Sequence, residues 1–180
     1  PVKTIVDQVD AMKRLVNEFR DYARLPSADL KPVDLNALVR DVLQLYEVEN
    51  HQAGIATDLD PNAPTIMGDA QQLRQVIHNL VQNAQDASDT AEGEPVVTVR
   101  TQWTSASGRV RLSVLDSGTG FPDHILKRAF EPYVTTKVRG TGLGLAVVKK
   151  IADEHGSRVD ISNRMADGKI VGAQVSLSLA

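Results

Sequence analysis

From residue 34 onward the apolar residues of this chain switch repeatedly between a helical and a strand period, and this alternation restricts the fold more than any one motif. Asp34 can cap a helix running to about Glu49, whose inner face carries Leu35, Leu38, Val39, Val42, Leu45 and Tyr46. The run 54-GIATDLD-60 reads as a strand. A second helix starts at 69-DAQQ-72, where Asp69 and Gln72 form a capping box, and continues through 73-LRQVIHNLVQNAQDA-87. Its core side carries Leu73, Val76, Ile77, Leu80, Val81 and Ala84. The segments 95-PVVTVRTQW-103 and 109-RVRLSVLD-116 alternate apolar and polar residues and are joined by 104-TSASG-108, which predicts a strand pair. A helix over roughly 141–155 and strands at 157-SRVDISN-163 and 172-GAQVSLSL-179 complete the pattern. Helices and strands in this order predict an α/β domain of about 150 residues, a two-layer sandwich of sheet and helices.

The first 24 residues follow a different rule. Ile5, Val9, Met12, Val16, Phe19 and Ala23 recur at spacings of four and three, an a/d seam that Val2, Val6, Leu15 and Tyr22 widen. Such a helix either lies on its own domain or packs on a partner helix, and the regularity of the seam favours the partner. The segment 25-LPSADLKP-32, with prolines near both ends, reads as a connection. The expected organisation is therefore a helix over 1–25, a linker over 26–33 and the main domain over 34–180.

Composition removes several function classes. A hydrophobic content of 42% with 24% charged residues is that of a folded globular chain rather than a disordered one. The net charge of −3 gives no bulk reason to expect nucleic-acid binding. There is no cysteine, so disulfides, thiolate metal sites and cysteine nucleophiles are excluded. No apolar run reaches the length of a membrane span and no signal peptide is visible, and no membrane contact is expected of these residues. The first residue is Pro1 rather than Met, and a piece of a longer protein is expected.

Three stretches could carry chemistry. Asn79 and Asn83, four apart on one helix, present amides on a shared face. An amide oxygen is a hard donor of the kind magnesium accepts, although paired or solvated amides are the plainer alternative. In 116-DSGTGFP-122, Asp116 follows the apolar run 112-LSVL-115 and ends at the edge of a buried sheet. Its carboxylate could accept a bond from an exocyclic amine while Gly118 and Gly120 admit a flat ligand, or the stretch could be an ordinary turn. In 140-GTGLGL-145, a glycine-rich approach to a helix start offers backbone N–H groups to an anion. This is neither a dinucleotide fingerprint, since position 145 is Leu and no strand precedes it, nor a P-loop, since no Gly-Lys-Ser/Thr ends it. Lys137 and Arg139 lie just upstream, where they could neutralise phosphate.

Taken in order, 79-NLVQNA-84, 116-DSGTG-120, 130-FEPYVTTK-137 and 140-GTGLGLAVVKKIADEHG-156 resemble the motifs of the ATP-binding domain of sensor histidine kinases, within the wider group of type II topoisomerases, ninety-kilodalton heat-shock chaperones and mismatch-repair ATPases. The wording of the last two is most similar to the nitrogen-regulation branch, the NtrY-like and NtrB-like sensors. The resemblance implies the Bergerat ATP-binding fold, a mixed sheet layered with helices, preceded by one helix of a dimerisation hairpin. It implies ATP and Mg2+ as cofactors, with Asn83 as the metal ligand and Asn79 lining the phosphate side. Asp116 would hold the adenine amine, with Gly118 and Gly120 flanking the base and Phe121 among the ATP-binding residues. Residues from about Phe121 to Gly140 would form a lid that Phe130 and Tyr133 anchor, with Thr136 and Lys137 among the nucleotide contacts. Gly140, Thr141, Gly142, Leu143 and Gly144 would wrap the phosphates.

The resemblance also implies a reaction. In the ATP-hydrolysing relatives a glutamate activates water one turn before the magnesium asparagine; Asn79 stands there, and an amide is no general base. The γ-phosphoryl is then kept for a histidine on a dimerisation domain and passed on to a response-regulator aspartate. None of His51, His78, His124 or His155 fits the family's phosphoacceptor box, so the acceptor is expected outside these residues and no self-labelling is expected. Asp86 departs from the basic or aromatic residue of many relatives, which puts more weight on Lys137 and Arg139. Expected partners are the dimerisation domain, as a homodimer, and a receiver domain, and the expected location is cytoplasmic. The alternatives are an ATP-binding scaffold without transfer and a serine protein kinase of the same fold.

Overall fold

The computed structural model describes residues 2–50, 55–88, 97–128, 130–131 and 144–180, apart from the side chains of Glu18, Asp21, residues 46–50, Asp86 and Ser88. In chain order these form α1 (Val2–Ala23), β1 (Lys31–Val33), α2 (Leu35–Asn50), β2 (Ile55–Asp58), β3 (Ile66–Gly68), α3 (Ala70–Ser88), β4 (Val97–Thr104), β5 (Arg109–Asp116), α4 (Asp123–Leu126), α5 (Gly144–Glu154), β6 (Val159–Ala166) and β7 (Lys169–Leu179). The main sheet runs β2-β4-β5-β7-β6, with β2 parallel to β4 and every other neighbour antiparallel. It is the expected mixed sheet. Helices α2, α3 and α5 supply the second layer, and the apolar residues of both layers form one core.

The register explains the core. Val99, Val114, Val175 and Ile161 stand opposite one another across β4, β5, β7 and β6, and Thr101, Leu112, Leu177 and Val159 form the next row. Side chains alternate along a strand, so on β5 Val110, Leu112, Val114 and Asp116 all face one side. That side holds the core, and the row of apolar residues ends in a carboxylate.

On α2, Ala37 N–H donates to the Asp34 carboxylate at 3.1 Å, as the expected cap requires. Leu35, Leu38, Val39 and Val42 are buried as expected, but Leu45 is 57% exposed and Leu43 is buried instead. Leu43 and Leu45 flank the stripe by roughly 80° on either side, and packing against the sheet side selects Leu43. The side chain of Tyr46 lies outside the described residues.

The start of α3 is half a capping box. Asp69 accepts from the N–H groups of Gln71 and Gln72, but Gln72 does not reach back. Its amide donates to the carbonyl of Pro26 at 2.8 Å, and the Asp69 N–H donates to His155 Nε2 at 2.9 Å. His155 Nδ1 in turn meets the Ile151 carbonyl at 2.8 Å, so a neutral ring with its proton on Nδ1 satisfies both contacts. Two short strands escape the sequence reading: β1, inside the segment read as a connection, pairs antiparallel with β3. Three residues are too few to display a period. The β6–β7 hairpin is longer than expected because Asp167 and Gly168, both at positive φ, form a two-residue turn of the mirror-image kind that Asp-Gly favours.

α1 carries its seam in the open: Ile5 is 63% and Val16 63% exposed. Its end is tied to α5. Lys150 donates to the Tyr22 carbonyl at 2.6 Å and sits 4.7 Å from the centre of that ring. The following segment is held by Ala28 N–H to Glu154 and Asp29 N–H to Asp69. Among the described residues no helix is long and apolar enough to cross a membrane.

Asp69 is therefore a junction between α3, α5 and the segment after α1. Burial raises its carboxyl, but the N–H groups of Asp29, Gln72 and Gln71 outweigh that and hold it below the ordinary carboxylate range. A depressed carboxyl stabilises above its unfolded pKa and loses that contribution as pH falls through the folded value. Asp69→Ala is expected to cost about 1 kcal/mol at pH 7 in urea denaturation. The gap between wild type and variant should narrow below about pH 4.

Candidate functional site

The site is built along one edge of α3. Asn79, Asn83 and Ala87 are four residues apart and share a face, spanning about 12 Å of helix. Two distant segments meet that edge at three points. Asn79 Nδ2 donates to the Gly144 carbonyl at 3.2 Å, while Asn79 Oδ1 accepts from Gln75 Nε2 at 3.0 Å. The amide that sequence reading placed on the phosphate side is thus a brace between α3 and the start of α5. One turn on, a Cβ at Gly144 would stand 3.4 Å from Asn83 Nδ2, so α5 begins directly against the expected metal ligand. A further turn on, a Cβ at Gly118 would come within 2.6 Å of the Ala87 carbonyl. Only a bare backbone lets the loop after β5 lie against α3 there.

Asp116 arrives at this edge by strand periodicity, and it is 6% exposed. A buried carboxylate needs donors. The Gly118 and Ala173 N–H groups both donate to Oδ1, at 2.9 and 3.1 Å, and fix the carboxylate in place. Arg164 Nη1 donates to the Asp116 backbone carbonyl at 2.6 Å. Gly172 passes so close that a Cβ would collide with that same carbonyl oxygen. Sequence reading missed Arg164, Gly172 and Ala173, because their role exists only once β7 pairs with β5.

Gly120 takes φ 78°, where L side chains are rare, and a Cβ there would strike Ile170 and Asn163. Phe121 is held from both sides by Asn163, whose amide accepts from Phe121 N–H at 2.7 Å and donates to its carbonyl at 2.9 Å. An amide side chain here copies a strand partner, and nothing in the sequence pattern marks it. The expected lid opens with α4, whose Ile125 is buried, and Phe130 is half-buried. Tyr133, Thr136, Lys137, Arg139, Gly140, Thr141, Gly142 and Leu143 lie outside the described residues.

Beside the asparagine edge is a cavity of about 530 Å³. Gln75, His78, Asn79 and Asn83 of α3 line one side and Gly144 another. Arg14 and Asn17 of α1 line it as well, which sequence reading did not foresee. The donors offered by α3 are mostly amides. Among the described residues no three of His, Asp or Glu gather into a metal-binding group. An amide oxygen suits a cation that takes most of its ligands from phosphate and water, as magnesium does.

The family described as "Histidine kinase-, DNA gyrase B-, and HSP90-like ATPase" matches residues 68–179. The putative sensor histidine kinase NtrY-like of Rickettsia bellii (strain RML369-C) is 30% identical over 176 residues, covering 98% of this chain and 28% of that protein. Full-length ShkA, solved in complex with AMPPNP, superposes with a TM-score of 0.80 at 30% identity, over 99% of this chain and 37% of that one. Histidine kinase ThkA, solved in complex with the response regulator protein TrrA, superposes with a TM-score of 0.79 at 25% identity, over 99% of this chain and 49% of that one. This chain thus spans less than a third of its Rickettsia relative. The resemblance drawn from the motifs and the expected α/β fold are both borne out.

The crowding at Asp116 yields a prediction. Gly172→Ala should cost about 3 kcal/mol in thermal or urea unfolding, since a methyl group there must displace backbone. Gly108→Ala, also at positive φ but with nothing within 4 Å, should cost only about 1 kcal/mol.

Proposed function

The chain belongs to the histidine kinase-, DNA gyrase B-, and HSP90-like ATPase family, and from that premise we propose that it is the ATP-binding catalytic domain of a two-component sensor histidine kinase of the nitrogen-regulation branch. The observation that carries this reading is the meeting of Gly144 and the Asp116 loop on the Asn79–Asn83–Ala87 edge of α3. A nucleotide laid along that edge has its base at the Ala87 end and its phosphates at the Gly144 end. Asp116 accepts the adenine amine, Gly118 and Gly120 flank the base with Phe121 among the ATP contacts, and Asn83 holds Mg2+. Tyr133, Thr136 and Lys137, with the loop Gly140, Thr141, Gly142, Leu143 and Gly144, complete the ATP contacts. Bound magnesium neutralises phosphate charge that would otherwise oppose attack.

Water is a poor competitor in this arrangement. Asn79 cannot take a proton, and both ends of its amide are already engaged. The γ-phosphoryl therefore goes to an imidazole nitrogen: a P–N bond forms, the P–O bond to the β-phosphate breaks and ADP leaves. The imidazole belongs to a dimerisation domain whose second helix is α1, with residues 1–25 as that helix, 26–33 as linker and 34–180 as catalytic domain. The exposed seam of α1 supports this, since an apolar stripe of that regularity suits a helical partner in a homodimer. A response-regulator aspartate is the next acceptor, a reading the ThkA–TrrA complex supports. The domain works in the cytoplasm, without nucleic acid or membrane contact of its own.

Calorimetric titration with AMPPNP and Mg2+ tests the pocket. Asp116→Asn keeps an oxygen that can accept from Gly118 and Ala173, so the fold should stand. Losing the charged acceptor should weaken AMPPNP by about tenfold or more. A wild-type chain that binds no nucleotide ends the proposal. Supplying a histidine-bearing dimerisation hairpin with ATP should place acid-labile phosphate on that hairpin. Acid-stable phosphate on a partner would favour the serine-kinase alternative.

A further inference from the structure

We propose that Arg14 of α1 is a phosphate-binding residue, placed to meet the terminal phosphate of the nucleotide. The proposal rests on the functional reading above and extends it to a helix outside the catalytic domain. Arg14 and Asn17 line the same cavity as Asn79, Asn83 and Gly144. Along α3 the cavity extends past Asn79 through His78 to Gln75, a turn further from the Asp116 loop, which packs at Ala87. A nucleotide with its base at Asp116 directs its last phosphate toward that end.

Charge and burial agree. Among the described residues lining the cavity none is acidic, and Arg14 carries the formal positive charge. From Val2 to Arg20, Arg14 alone among the described side chains is half-buried, while the others are exposed. At 100° per residue it points roughly 180° away from the mean direction of Ile5, Val9, Met12, Val16 and Phe19. The helix is therefore two-faced. Its apolar seam stays available to a partner helix while the Arg14 side lies over α3. A guanidinium suits a terminal phosphate because its planar fork can bond two oxygens at once. Binding a triphosphate then strengthens the hold of α1 on the catalytic domain, and by reciprocity a docked α1 strengthens triphosphate binding.

The test is calorimetry on the 180-residue chain with Mg2+ and either AMPPNP or ADP, comparing wild type, Arg14→Gln, Arg14→Lys and the exposed neighbour Lys13→Gln. Arg14→Gln should weaken AMPPNP about tenfold while changing ADP less than about twofold, the scale of a charge-assisted bond to one phosphate. Arg14→Lys should recover part of the loss, and Lys13→Gln should change neither ligand. A merely structural role for Arg14 would move both nucleotides together. Equal weakening, or none, overturns the role of Arg14 while leaving the pocket assignment intact if Asp116→Asn still weakens binding. A wild-type chain that binds neither nucleotide overturns both.

Discussion

The burial of one side of α3 fixes everything else in the site. Leu73, Val76, Ile77, Leu80, Val81 and Ala84 are at most 5% exposed, and burying each large aliphatic among them contributes about 1.5–3 kcal/mol. That packing sets the rotation of the helix on the sheet. Once it is set, the periodicity that turns those residues inward turns Asn79, Asn83 and Ala87 to one edge. The start of α5 and the loop after β5 are then pinned to that edge by a hydrogen bond at Asn79 and by bare glycines at Asn83 and Ala87. A rotation of α3 by one residue would separate all three at once.

α5 carries this arrangement further. Its first residue, Gly144, is in the site, while Lys150, Glu154 and the adjoining His155 reach Tyr22, Ala28 and Asp69. One eleven-residue helix thus touches both the cavity beside the asparagine edge and the joint behind α1. A displacement of Gly144 against Asn79 therefore has a short, packed path along α5 to the end of α1. α1 thus meets the rest of the chain in two places, at its end through the Lys150–Tyr22 contact and partway along its length, where Arg14 and Asn17 line the cavity.

Much of this was legible in the sequence where a period or a cap writes it there. The alternation on β4 and β5, the helical stripe of α3 and the seam of α1 are all repeating patterns, and each element formed where its pattern lies. Asp116 was found because an acidic residue ends an apolar alternation. What failed was set by neighbours distant in sequence. Leu43 and Leu45 are equivalent by period, and only the sheet tells them apart. Gln72 is the right residue for a capping box, yet Pro26 claims its amide and His155 takes the N–H it would have served. Arg164, Gly172 and Ala173 gather around Asp116 through β5–β7 pairing, and Asn163 serves Phe121 across a gap of 42 residues. No local pattern encodes such contacts. The Asp167-Gly168 turn is different, since the dipeptide was readable and its weight as a hairpin signal was missed.

The central claim is that a nucleotide lies along the Asn79–Asn83–Ala87 edge of α3. The most direct measurement is an NMR titration of the isotopically labelled chain with AMPPNP and Mg2+. The claim predicts shifts in the side-chain amides of Asn79 and Asn83 and in the backbone amides of Gly118, Ala173 and Gly144. Trp103 and the residues of the β1–β3 pair should stay still. Saturable binding that leaves the Asn83 side-chain amide unmoved, or that shifts residues around the separate cavity at Asp58–Pro61 instead, would contradict it.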